Sequence, residues 1–248
     1  SLDQDTLRFL GRSHSPEQAE AAVQSLKRSG IDNLGLDLIW GIPGQGVNSR
    51  LETVRRALDW EPAHMSLYSL SVEPGTPLAL WDDQDCLEWP EEHHWEQMFV
   101  QARQLLVRSG FDHYEISNYA LLNRRCRHNS GIWGGEEYIG FGPAAVSTLN
   151  QVRRRNPEGP AEDVQMIDSG LLRPTEEILS PEVTSREKTM LALRTSRGIA
   201  WPDAQGMVDV AFAAELEEAG LLEVGKKRLR LTPKGMLVSN EILARFLH

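Results

Sequence analysis

Cysteine is scarce: the 248 residues hold two, Cys86 and Cys126. That excludes a disulfide-dense secreted scaffold. Two thiols alone form neither a four-cysteine zinc site nor the ligand set of a cubane iron–sulfur cluster. No apolar run approaches about 18 residues, so no membrane-spanning helix is predicted. The sequence opens Ser1-Leu2-Asp3, without Met, a basic stretch or an apolar signal segment. The expectation is a cytoplasmic chain cut at its amino end. Positive charge is also short, with 26 Lys and Arg against 36 Asp and Glu, a net charge of −10. That balance argues against a protein whose main task is coating DNA or anionic lipid. Internal repeats and low-complexity tracts are lacking too.

What remains is an ordinary globular composition, 40% apolar and 25% charged. At about 100–200 residues per domain, the length fits one large domain or a medium one with a small one. Ser15-Pro16-Glu17-Gln18 reads as a helix start: a Ser cap, Pro at the first helical position, and Gln three residues after the cap. Asn33 to Trp40 reads as a strand, with Leu34, Leu36, Leu38 and Trp40 on one face and Gly35, Asp37 and Ile39 on the other. Gly41 to Gly46 reads as a loop, and Ser49 with Glu52 as the start of a helix. A strand over Met65–Ser71, a long helix over Pro90–Ser109 and a third short strand over Tyr114–Asn118 follow. This alternation predicts parallel βα units. Residues from Leu121 to Gln151 read as irregular, Arg153 to Glu162 as polar, and Pro174 to Pro181 as a linker. Helices over Ser185–Thr195 and Val208–Ala219, a hairpin over Gly220–Leu231 and a last helix from Thr232 to Leu247 give a winged-helix-like layout.

Asp37 is a charged residue inside an apolar strand. If the leucine face meets helices, Asp37 points into a barrel lumen, where a carboxylate is either functional or held in a structural ion pair. Gly41-Ile42-Pro43-Gly44-Gln45 sits at the carboxyl end of that strand, the edge that carries ligands in parallel α/β folds. It reads either as a close approach to a ligand or as a tight structural turn. Cys126-Arg127-His128-Asn129 could ligate a metal or a haem iron, or form a satisfied loop. His93-His94 reads as a solvated pair. Arg124, Arg125 and Arg127, and then Arg153, Arg154 and Arg155, are basic clusters that meet carboxylates or phosphates, or stay solvated. Lys226, Lys227, Arg228 and Arg230 form a basic wing, but Asp209, Glu215, Glu217 and Glu218 on the preceding helix repel phosphates. No nucleic-acid partner is therefore expected.

Several blocks then match one family in order. They are Phe9-Leu10-Gly11-Arg12-Ser13-His14, Leu36-Asp37-Leu38-Ile39-Trp40-Gly41-Ile42-Pro43-Gly44-Gln45, and Ser66 to Leu70 with Glu73-Pro74-Gly75-Thr76-Pro77. Tyr114 to Ala120, Cys126 to Asn129, Tyr138 to Gly142, Leu231 to Gly235 and Ser239 to Glu241 follow. The chain resembles the oxygen-independent coproporphyrinogen III oxidase-like radical SAM proteins, specifically their haem-chaperone branch. The resemblance implies an α/β fold: an incomplete (β/α)6 TIM-like barrel over 1–172, then a small, mostly helical, winged-helix-like domain over 173–248. It implies haem binding and transfer to haem-requiring apo-proteins. In the full-length form, S-adenosylmethionine and a [4Fe–4S] cluster serve as cofactors and haem is the cargo. Arg12, Asp37 and Ser71 match positions that contact S-adenosylmethionine, and His128 matches a position linked to haem. The alternative it leaves is an oxygen-independent coproporphyrinogen oxidase; a winged-helix regulator is a third reading. Homodimerisation stays open.

Three departures accompany the resemblance. The family's C-x-x-x-C-x-x-C cluster motif is absent, so this chain alone is expected to be inactive in radical chemistry. The Tyr of the H-N-x-x-Y-W segment is Ile132, and the family's G-A-H-S is Ala144-Ala145-Val146-Ser147.

Overall fold

A computed structural model describes residues 1–170, 174–204 and 206–246. The chain forms two compact units, Ser1–Cys126 and Arg127–His248.

In the first unit, α1 (Gln4–Phe9) begins where the Asp3 carboxylate accepts the Thr6 N–H at 2.8 Å. Helix α2 (Pro16–Arg28) starts as its sequence predicts. Ser15 Oγ accepts the Gln18 N–H and Gln18 Oε1 accepts the Ser15 N–H, a complete capping box. Strand β1 (Gly35–Trp40) leads into α3 (Val47–Leu58), and then into β2 (His64–Ser69). Helix α3 starts two residues before Ser49, from an extended Gly46 with no side-chain cap, rather than from the Ser49–Glu52 pair. Helices α4 (Pro77–Asp83) and α5 (Glu92–Arg108) follow, and α5 buries Met98, Phe99, Ala102 and Leu106. Strands β3 (Asp112–His113) and β4 (Asn118–Ala120) end the unit.

The sheet order is β1-β2-β4-β3. Only β1 and β2 run parallel, in register from Gly35 opposite His64 to Trp40 opposite Ser69. The strand predicted over Tyr114–Asn118 is instead a turn between two antiparallel strands. The Tyr114 N–H donates to Asn118 O and the Leu67 N–H donates to Ser117 O, at 3.2 and 2.7 Å, which folds the segment back. One sheet face buries Leu38, Trp40, Met65, Leu67 and Tyr119. Each such large apolar side chain contributes about 1.5–3 kcal/mol on burial. Trp40 meets Trp95 and Phe99 of α5 at 4.8 and 6.3 Å. The opposite face carries Asp37, His64 and Tyr68.

The second unit starts with α6 (Arg127–Trp133), in a segment predicted as irregular. Strands β5 (Val146–Leu149) and β6 (Val152–Arg155), helix α7 (Pro160–Ser169) and strand β7 (Thr175–Ile178) follow. The β5-β6-β7 sheet is antiparallel. Half of the predicted linker from Pro174 to Pro181, Thr175–Ile178, is therefore a strand. Its register sets Glu176 opposite Arg154 and Glu177 opposite Arg153, and cross-strand opposite charges stabilise such a pairing. Helix α8 (Pro181–Leu193) starts from Ser180, whose Oγ accepts the Val183 N–H. Then come β8 (Ile199–Ala200), α9 (Trp201–Ala204), and α10 (Val210–Glu218) capped by Asp209. The hairpin β9 (Leu222–Val224) and β10 (Arg228–Leu231) joins β8 in the order β8-β10-β9. The predicted last helix breaks at Val238 into α11 (Pro233–Leu237) and α12 (Ser239–Phe246). Its predicted end, Leu247, lies outside the described residues.

Candidate functional site

Within the first unit, Arg12 and Asp37 line one cavity of about 440 Å³. Leu2, Leu7, Leu10 and Trp60 give it apolar walls, and His14 and Tyr68 add polar groups. Arg12 is exposed, and its backbone N–H donates to Leu7 O at 2.8 Å, which sets the end of the α1 turn. Asp37 lies mid-strand, opposite Ser66. It was expected to be a buried lumen carboxylate but is exposed. The alternation of β1 turns it to the predicted face, where it lines the cavity. A guanidinium and a carboxylate in one partly apolar cavity suit a ligand with both a charged head and hydroxyl groups. Ser71 is exposed beyond β2 and does not line this cavity.

The glycine-rich loop after β1 is held by one bond of its own and one to the segment before α5. The Gly41 N–H donates to Gln45 Oε1 at 2.9 Å, and the Gly44 N–H donates to Glu88 O at 2.9 Å. Gly41 has φ +72°, and a Cβ there would lie 2.2 Å from the Trp95 ring. The glycine admits Trp95, which matches the structural-turn alternative for this loop.

Two buried groups in this unit escape the sequence reading. Arg50 is 1% exposed, lies 5.7 Å above the Trp40 ring, and has no hydrogen-bond partner for Nε and Nη1 among the described residues. Burial lowers its pKa to about 10, so it stays charged at neutral pH. The signal was its spacing: residue 50 falls on the same helical face as Val54 and Ala57. His113 stacks on Tyr119 at 4.3 Å. Arg103 Nε donates to its Nδ1 at 3.2 Å, and its Nε2 faces Ile116 O at 3.1 Å. Those partners select the neutral tautomer with the proton on Nε2. Burial, above all, pulls the pKa down to about 4.

Nearby, His64 Nε2 lies 2.8 Å from Tyr114 Oη, which also accepts the Cys126 N–H at 3.3 Å. Burial lowers the His64 pKa, and the Asp37 carboxylate opposes that shift. Arg125 pairs with Asp112 and covers the Tyr114 ring at 5.4 Å. The second Arg cluster meets carboxylates rather than staying solvated. Arg153 grips Glu187 through Nη1 and Nη2 at 3.0 and 2.6 Å, and Arg154 pairs with Glu176 at 2.7 Å.

In the second unit His128 is exposed in the first turn of α6. Its imidazole has no hydrogen-bond partner among the described residues. Trp133, one turn on, lies under Arg194 at 5.4 Å. Ile132 is half-buried, and Val146 stands in β5. Among the described residues no group of three or more His, Cys, Asp or Glu could hold a metal ion. Cys86 is exposed and Cys126 half-buried, and both are free thiols. No helix among the described residues is long and apolar enough to cross a membrane.

The fold and the Arg12–Asp37 cavity define an α/β protein with a partly apolar cavity beside a parallel strand pair. The HemN C-terminal domain family matches residues 179–238. Relatives described as haem chaperone HemW match nearly the whole chain. That of Lactococcus lactis subsp. lactis is 29% identical over 97% of this chain and 65% of its own length. That of Bacillus subtilis is 28% identical over 100% of the chain and 67% of its length, and that of Mycobacterium tuberculosis 32% over 96% and 61%. The structure of the radical SAM coproporphyrinogen III oxidase HemN from Escherichia coli superposes with a TM-score of 0.74. It covers 98% of this chain and 61% of that one, at 17% identity, and so shows a shared α/β fold. The chain is thus similar along nearly its whole length to proteins described as haem chaperone HemW, and it carries a HemN C-terminal domain match at 179–238. It spans about three fifths to two thirds of the length of these relatives.

Proposed function

We propose that this chain is part of a radical SAM haem chaperone that binds haem and passes it to haem-requiring apo-proteins in the cytoplasm. The observation that carries this reading is the match of relatives named as haem chaperones along 96–100% of the chain. The likeness to an oxidase concerns the fold alone, so it lends the alternative oxidase reading no comparable weight. The finer architecture belongs to the same proposal: a partial (β/α)6 barrel over 1–172 and a winged-helix-like domain over 173–248. The parallel β1–β2 pair and the family match at 179–238 support it.

The residues fit S-adenosylmethionine, which when bound supplies the reactive adenosyl group. Asp37 would accept hydrogen bonds from the ribose hydroxyls, and Arg12 would hold the polar head by charge. Their common cavity supports both roles. Ser71, outside that cavity, would offer only a backbone contact to the adenine. The residues do not fit a [4Fe–4S] cluster. Two cysteines 40 positions apart leave it short of thiolate ligands, and no cluster chemistry is assigned to this chain.

For haem, the exposed His128 would be an axial ligand through a neutral ring nitrogen. Titrating haem into the full-length form should give a Soret band that weakens in His128→Ala. An unchanged band removes His128 as a ligand. Robust decarboxylation of coproporphyrinogen by the full-length form would overturn the chaperone reading itself.

A further inference from the structure

The basic hairpin noted in the sequence is absorbed by none of these roles. We propose that β9–β10 and the residues before β8 form a docking cleft for a short acidic segment of a partner protein. The cleft has a volume of about 810 Å³, and its cationic wall is Arg197, Lys226, Lys227, Arg228 and Arg230. Two of these are committed to building it. Arg228 Nε donates to Arg197 O at 2.9 Å and its Nη2 donates to Gly198 O at 2.8 Å. Arg230 neutralises Glu223 at 2.6 Å.

The other three are uncommitted. Arg197, Lys226 and Lys227 are exposed, and none has an ion-pair partner among the described residues. They are nonetheless held in place. Gly198 has φ +63°, and a Cβ there would stand 2.0 Å from Leu229 O, so the backbone after Arg197 lies directly against β10. Lys226 and Lys227 form the hairpin turn, and Lys227 O accepts the Trp201 N–H at 2.9 Å. Three free cations thus converge on one cleft in a chain of net charge −10.

The same geometry selects the partner. Glu217 also lines the cleft, and its Oε1 accepts the Val224 N–H at 3.2 Å. That bond engages the Val224 amide of the edge strand β9, which is therefore not free to pair with a partner strand. Recognition falls to side-chain charge. A nucleic acid would carry its phosphate track past Glu215, Glu217 and Glu218 of α10, where like charges repel. A few carboxylates on a short segment match the three cations and meet α10 only at Glu217, whose carboxylate already accepts the Val224 N–H.

The test uses haem-free protein and a short, fluorescently labelled Asp/Glu-rich peptide followed by anisotropy. Saturable binding is expected at low salt, weakened about tenfold by the double charge reversal Lys226→Glu with Lys227→Glu, and weakened again at high salt. Arg197→Glu, a change at the far wall, should weaken it about threefold or more. All three residues are exposed, so the variants should keep the wild-type unfolding midpoint. Absence of saturable binding at low salt overturns the proposal. So does wild-type affinity in both variants, or a DNA duplex that displaces the peptide at lower charge concentration than free peptide does. Haem is absent from the assay, so its outcome is independent of the haem titration.

Discussion

Replacing Arg50 by Met should stabilise the protein, although it removes a charged group from a charged helix. The guanidinium is 1% exposed, and its Nε and Nη1 have no hydrogen-bond partner among the described residues. Burial moves its pKa from 12.5 to about 10. That drop corresponds to about 3 kcal/mol against the charged form in the folded state. Contact with the Trp40 ring offsets about 1–2 kcal/mol of this. Methionine keeps the unbranched stem and removes the charge, and replacing a buried charge with an apolar group of similar volume is commonly neutral or stabilising. The net gain is about 1–2 kcal/mol, which raises the unfolding midpoint by about 2–8 °C. Thermal unfolding followed by near-ultraviolet circular dichroism measures it. Arg50→Ala is the control, since it also leaves a cavity and should gain less. The sign has a pH signature. Below about 10 the folded state must keep Arg50 charged, so the penalty is fully present. As the pH rises through that value the folded state releases the proton while the unfolded state keeps it, so wild type gains on the variant. A midpoint lowered by Arg50→Met at neutral pH would refute the reasoning, because it would mean that the guanidinium is satisfied in solution.

What the sequence made legible was local. The α2 start was readable because both bonds of its capping box lie between Ser15 and Gln18. Helix α5 was readable because Met98, Phe99, Ala102 and Leu106 repeat at helical spacing. The face of Asp37 followed from alternation, but its exposure depends on what covers that face, which no spacing reveals. The Tyr114–Asn118 segment lacks Gly and Pro, and its aromatic and β-branched residues read as a strand. A bond from the distant Leu67 N–H turns it. Strand β7 was hidden for the opposite reason. All four of its residues are exposed, so it has no apolar alternation, and its pairing rests on arginines more than 20 positions earlier. Arg50 is hidden because its charge speaks for solvent, while only its spacing to Val54 and Ala57 places it on the buried face of α3. The Arg12–Asp37 pairing came from the family motifs, and their common cavity is what the fold adds.

Two further perturbations separate ligand roles from structural ones. Asp37→Asn should weaken binding of S-adenosylmethionine by the full-length form about tenfold in equilibrium dialysis, because the neutral amide loses a charge-assisted acceptor. It should leave the unfolding midpoint within about 2 °C, because Asp37 is exposed; unchanged affinity would remove the ribose role. His113 should make the fold acid-sensitive. Its pKa is about 4 folded against 6.5 unfolded, so the unfolded state takes up the proton first, and stability is full above 6.5 and falls as the pH drops toward 4. The loss reaches about 3 kcal/mol, above all because burial desolvates the charged imidazole, and to a lesser degree because the Arg103 cation lies beside it. Urea midpoints measured from pH 7 to pH 4 should fall steeply in wild type and flatten in His113→Gln, whose amide oxygen can still accept from Arg103 but takes up no proton. Equal slopes in the two proteins would show that the acid sensitivity arises at other groups.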